Sequence, residues 1–184
     1  GIVLTGKTGK SYTDLDQTIL LNLASGKVFK FSDGAANSAE IDLILSLYSD
    51  KDKIGSGSED IIFFSPAGLL QHNLYWGSFP TVLSNQNWTF YKGTKLDYLS
   101  KTNYPPTTWW DKINTVTDLN TIINKEYISL SGSELTMVDS KGNLNDDRIY
   151  VFKNKEGKIG LFRLTNANKK VDTYTVTIDI KVQK

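Results

Sequence analysis

From Tyr174 to Val182 the chain alternates without a break. Tyr174, Val176, Ile178, Ile180 and Val182 are apolar, and Thr175, Thr177, Asp179 and Lys181 between them are polar. A period of two fits only an extended strand with one dry face and one wet face, because successive side chains point to opposite sides. The β-branched content points the same way. Such a strand cannot stand alone, so neighbours must be found for it. They lie just upstream: Arg148–Lys153 and Lys158–Leu164 are two apolar runs joined by Asn154-Lys155-Glu156-Gly157. Two such runs around a short polar loop ending in Gly read as a hairpin. With Asn166–Lys170 as the next connection, the C-terminal part reads as an antiparallel meander.

The same device recurs near the start. Thr18–Leu23 and Lys27–Phe31 flank Ala24-Ser25-Gly26, and Glu40–Tyr48 alternates again after a short helical turn at Ala35–Ala39. Ile61–Phe64 is a short apolar run stopped by Ser65-Pro66, since proline cannot donate to a ladder. Between these runs, Gly68–Pro106 is aromatic and irregular, with Asp97–Ser100 as a turn. Val116–Lys125 carries helical spacing at Leu119, Ile122 and Ile123 behind a capping Thr117 or Asp118. No repeat or linker divides the chain, and 184 residues suffice for one core. The pattern predicts a mostly β (α+β) chain. It is a single antiparallel β-sandwich-like domain over 1–184, with a C-terminal β-meander and one or two short helices. Residues 1–14 are expected to be loosely ordered.

Composition removes several chemistries. There is no cysteine, which excludes thiol catalysis, disulfides, thiolate zinc sites and iron–sulfur clusters. A net charge of +1 gives no electrostatic reason to expect nucleic acid or an anionic membrane as partner. His72 is the one histidine, and no Gly-x-Ser-x-Gly elbow stands ready to hold a nucleophile for it. Gly55-Ser56-Gly57-Ser58 reads as a loop. Gly6-Lys7-Thr8-Gly9-Lys10 lacks the following helix that a phosphate loop needs, since Tyr12-Thr13-Asp14 continues as loop. A carboxylate pair for glycoside chemistry, drawn from residues such as Asp42, Glu59, Asp60 and Asp111, is a further alternative. Spacing in sequence selects none of them. Asp139, Asn143, Asp146 and Asp147 gather oxygen atoms that calcium favours, but Leu144 and Tyr150 stand where an EF-hand loop needs Gly and Glu. The segment reads first as a turn. No cofactor is expected.

The aromatic residues carry the remaining signal. All four tryptophans fall within one stretch, Trp76, Trp88, Trp109 and Trp110, with Tyr104 nearby and Asn73, Asn85, Gln86 and Asn87 among them. Aromatic rings stack on the apolar faces of sugars while amides serve the hydroxyls, so this set is a candidate glycan-binding face. The competing reading is that the rings supply core area to a loop-rich region. Tyr104-Pro105-Pro106-Thr107-Thr108-Trp109-Trp110 is read as a proline-stiffened extended loop, with the two tryptophans on opposite sides. Asn87-Trp88-Thr89 matches a glycosylation acceptor, which matters only in a eukaryotic secretory host.

Residues 18–37 (Thr-Ile-Leu-Leu-Asn-Leu-Ala-Ser-Gly-Lys-Val-Phe-Lys-Phe-Ser-Asp-Gly-Ala-Ala-Asn), Glu40–Leu45, Phe63–Ala67, Gly157–Leu164 and the closing Thr175–Lys184 together resemble exported lipoproteins of Bacteroides-type gut bacteria. The order of strand, Ser-Gly-Lys, strand and Ile-Asp-Leu is distantly similar to haem-capturing lipoproteins of that phylum. The resemblance implies an exported protein at the cell surface or in the periplasm. It also implies a lipid anchor upstream, and Gly1 in place of Met fits a signal or anchor segment cut away. The expected function is a non-catalytic envelope binding or accessory module whose partner is a glycan or another envelope protein. The haem-capturing relatives use paired His or Met ligands, and the corresponding alternative here is His72 with Met137.

Overall fold

In a computed structural model, residues 1–7, 15–49, 59–71, 88–89, 93–138, 148–170 and 173–183 are described. Among the described residues, ten strands build two antiparallel five-stranded sheets. The first contains β1 (Ile2–Lys7), β6 (Lys95–Tyr98), β8 (Tyr150–Lys153), β9 (Ile159–Lys169) and β10 (Thr173–Val182), in the order β1-β10-β9-β8-β6. The second contains β2 (Leu20–Leu21), β3 (Val28–Phe29), β4 (Leu43–Ser49), β5 (Glu59–Phe64) and β7 (Glu134–Val138), in the order β3-β2-β4-β5-β7. Among the described residues, α1 (Pro66–Gln71), α2 (Pro106–Trp109) and α3 (Val116–Lys125) are α-helical, and Phe31–Asp33 form a 3-10 turn. The expected mostly β, sandwich-like α+β architecture is the observed one.

The alternation of β10 does what its period requires. Tyr174, Val176 and Ile178 are fully buried and face the second sheet, joining Leu4, Leu20, Ile44, Phe63 and Phe162 in one inter-sheet core. Phe162 is at the centre of its aromatic packing. It stacks on Tyr150 with centroids 5.0 Å apart and meets Phe63 edge-on at 6.0 Å. Two glycines admit rings from the neighbouring strand. Gly6 pairs with Tyr174, and a Cβ there would lie 2.2 Å from the ring; Gly160 pairs with Phe152, where the same atom would lie 2.4 Å away. A strand glycine marks such a close approach.

The middle strands of the first sheet are apolar on both faces, unlike β10. On β8 and β9, Tyr150, Phe152 and Phe162 turn inward, whereas Ile149, Val151 and Leu161 belong to a second core on the opposite side. That outer face is roofed by α2 and α3 through Tyr104, Trp110, Leu119 and Ile122. The chain is therefore layered sheet, sheet and helices.

Several sequence expectations are corrected. Residues 2–7 are an ordered edge strand rather than a loose segment, because each pairs with β10 and Thr5 exchanges hydrogen bonds with Thr18; residues 8–14 lie outside the described residues. Asp97 lies in β6, paired with Val151, rather than in a turn. Strand β9 runs on to Lys169, through the stretch expected to be a loop, because β10 keeps pairing with it beyond a bulge at Thr177/Ile178. The two-proline segment is helical rather than extended: Pro106 opens α2 at a position where the missing N–H costs nothing. Helix α3 has the expected limits, but its cap is Thr115. The Thr115 side chain accepts from the Asp118 N–H while Asp118 Oδ2 accepts from the Thr115 N–H, a reciprocal capping box.

Replacing Phe162 by Ala should cost about 3–5 kcal/mol, the usual range for deleting a buried aromatic. That is a large share of a stability of about 5–15 kcal/mol. Urea unfolding measures it, and a loss below about 1 kcal/mol would contradict a core centred on this ring.

Candidate functional site

The helical layer gathers Tyr104, Trp109 and Trp110 of the aromatic residues singled out above, and its construction explains why. Tyr104 packs under α2 with its ring edge-on to Trp109, centroids 4.9 Å apart. Its hydroxyl donates to Glu126 Oε1 at 2.9 Å, beyond the end of α3. This tie joins the two helices. Burial, reinforced by the hydrogen bond to Glu126 and the charge of that carboxylate, raises the Tyr104 phenol above its ordinary value.

Helix α3 ends without a glycine. Ile128 N–H bonds to Ile123 C=O at 3.1 Å, the wide closing bond of a Schellman motif, and both side chains pack on the outer core. The left-handed position of that motif falls on Tyr127, at φ 52°. Its side chain is 91% exposed. A tyrosine there accepts backbone strain that glycine would avoid, and it buries almost nothing in return. Trp109, half-buried, carries the Lys112 ammonium 5.1 Å from its ring centroid. Tyr104, Trp109, Lys112 and Glu126 thus form a connected aromatic and polar group by the C-terminal end of α3, and the exposed Tyr127 follows Glu126 directly in the chain.

At the other end of α3 lies a cleft of about 580 Å³ walled by Ile113, Val116, Leu119, Leu161 and Val182. Lys181 reaches into it from β10. Its ammonium donates to Trp110 C=O, to Ile113 C=O at 3.2 Å and to Asn114 Oδ1 at 3.0 Å, clamping the turn between the helices onto the sheet. Burial lowers the Lys181 pKa, Asp111 opposes that shift, and Arg163 adds to it. The Trp110 ring is held between the two cations, 4.6 Å from the Arg163 guanidinium and 5.0 Å from Lys181 Nζ. Arg163 is in turn paired with Asp179 at 3.2 Å.

This geometry sorts the residues singled out from sequence. Trp110 and Tyr104 are 5% and 4% exposed in the outer core, and Trp88, also 5% exposed, is in the inter-sheet core against Gly34. These three rings are packing residues and offer no open face, whereas Trp109 keeps partial exposure. Trp76 and His72 lie outside the described residues, as does the candidate calcium segment with Asp139, Asn143, Asp146 and Asp147. Met137 is in β7. Among the carboxylates, Asp42 is fully buried and accepts the Leu23 N–H at 2.8 Å, a fixed tie inside the β2–β3 hairpin region, while Asp111 is exposed on the helical layer. The structure does not bring those two together. Glu59 and Asp60 begin β5. Among the described residues no cluster of three or more His, Asp or Glu side chains could hold a metal ion, and no helix is long and apolar enough to cross a membrane.

Sequence reasoning missed Tyr127, Lys181 and Arg163 as members of the site. Tyr127 had only a weak signal, because many helices end on a left-handed residue and no glycine follows the last apolar turn of α3 to take that position.

The Tyr104–Glu126 tie predicts a pH dependence. A phenol raised in the folded state contributes stability that is fully present below about pH 10 and is lost as pH rises through the folded value. Tyr104→Phe should cost about 1 kcal/mol at pH 7. In denaturant titrations the gap to the wild type should shrink above pH 10, and a gap that widened there would contradict the assignment. No protein-family model, curated protein or solved structure matches this chain.

Proposed function

We propose that this protein is a non-catalytic binding module of the cell envelope that engages carbohydrate through the face formed by Trp109 and Tyr127. The single observation that carries the reading is Tyr127, a tyrosine in a left-handed backbone position with 91% of its surface exposed. Folding gains nothing visible from it, and residues held at such a cost concentrate where a ligand repays the strain. An open tyrosine ring offers a sugar its flat apolar face, and Lys112 over the Trp109 ring and Glu126 next to Tyr127 in the chain supply a donor and an acceptor for hydroxyls.

The envelope setting rests on the resemblance to exported lipoproteins of Bacteroides-type gut bacteria, and a surface module of that kind would meet host or plant glycans. Trp109 is the member of the original tryptophan set that this reading retains, with Tyr104 as its support rather than a contact. No observation favours the haem or glycosidase alternatives over it.

Two substitutions separate function from packing. Tyr127→Gly should raise stability by about 0.5–1 kcal/mol, since it relieves the left-handed strain and removes little buried area. The same change should weaken binding to the best ligand of a glycan array at least about tenfold by calorimetry, and Trp109→Ala should do likewise, on the scale of losing an interface aromatic. An array without any hit, or a Tyr127→Gly protein that binds as tightly as the wild type, would refute the reading.

A further inference from the structure

The cleft at the N-terminal end of α3 is a separate site, and nothing in the carbohydrate reading uses it. Its volume of about 580 Å³ lies within the roughly 300–1,000 Å³ of small-molecule pockets. Its walls are largely aliphatic, with Asn114, Thr115 and Gln183 among them, and Val116 is 39% exposed, an apolar side chain left open to solvent at the start of an amphipathic helix. The one full charge at the cleft is the ammonium of Lys181, and its three hydrogen-bond partners are all neutral oxygens. Among the described residues no carboxylate meets it within ion-pair distance, while Arg163 already holds Asp179. Asp111 is the carboxylate that acts on it but forms no ion pair with it, so this partly desolvated cation is bonded to neutral oxygens alone, an arrangement that an anion would strengthen. Two of the neutral partners are backbone carbonyls. The third, Asn114 Oδ1, belongs to an exposed side chain whose Nδ2 donates to Asp111 C=O, so a stronger acceptor takes its place at the cost of that one further bond.

We propose that this cleft binds a medium-chain aliphatic carboxylate, its chain against Val116, Leu119, Leu161 and Val182 and its head group replacing Asn114 Oδ1 on Lys181. A charged oxygen makes a shorter and stronger bond to the ammonium than the amide does. The aliphatic walls favour a hydrocarbon chain over a polar one, and the lone cation selects a single negative charge.

Calorimetric titration of the intact chain with octanoate and with 1-octanol tests the assignment. Octanoate should bind saturably at one site, with 1-octanol weaker by about tenfold or more, and Lys181→Met should abolish that difference. Val116→Glu, at an exposed position, should leave the melting temperature unchanged and remove octanoate binding. It decides the question alone if Lys181→Met does not fold. Absence of saturable octanoate binding, equal affinity for the alcohol, or an unaltered affinity in Val116→Glu would each overturn the proposal.

Discussion

Everything in this molecule depends on β8 and β9 being apolar on both faces. A strand that must bury two sides needs a layer on each of them. Tyr150, Phe152 and Phe162 therefore draw in the second sheet, and Ile149, Val151 and Leu161 draw in the helices. Strand β10 is only half bound by this rule. Its inner residues are sealed, and its outer residues include Asp179 and Lys181, which border the helical roof instead of being covered by it. The boundary where roof gives way to open sheet is where the cleft forms.

The helical layer is attached to the sheet by polar contacts as much as by area. Lys181 and Arg163 grip Trp110 from β10 and β9, and Tyr104 ties α2 to the end of α3 through Glu126. These anchors fix both ends of α3, so the features at its two ends are presented on a rigid support. Binding residues held on regular elements are positioned more reproducibly than those on free loops. The two proposed ligand classes follow from what each end presents: open rings with mixed polar groups at one, and a largely aliphatic cleft with a cation bonded to neutral oxygens at the other.

How much of this was legible in the sequence varied with how local the cause was. The alternation of β10 and the spacing of Leu119, Ile122 and Ile123 are local signals, and both elements formed where the pattern put them. Strands β1 and β7 carried no such signal. Ile2–Lys7 ends in a turn-like Gly-Lys, and its pairing is decided by Thr173–Ile178, far away in the chain. The tryptophans could be recognised as important from their clustering but not sorted. Adjacent residues Trp109 and Trp110 differ in exposure because α2 turns one toward the sheet, a distinction set by the helix that Pro106 begins. The exposure of Tyr127 depends on how the helix end packs, which no composition argument reaches.

The central claim is that the aromatic face at the end of α3 receives the ligand while the buried tryptophans hold the fold. Heteronuclear NMR of the four indole N–H groups during titration with a binding oligosaccharide tests it directly. The account predicts that the Trp109 indole and the Tyr127 amide move progressively with saturation, and that the Trp88 and Trp110 indoles stay in place. Shifts at Trp76 or Trp88 with Trp109 unmoved would contradict it.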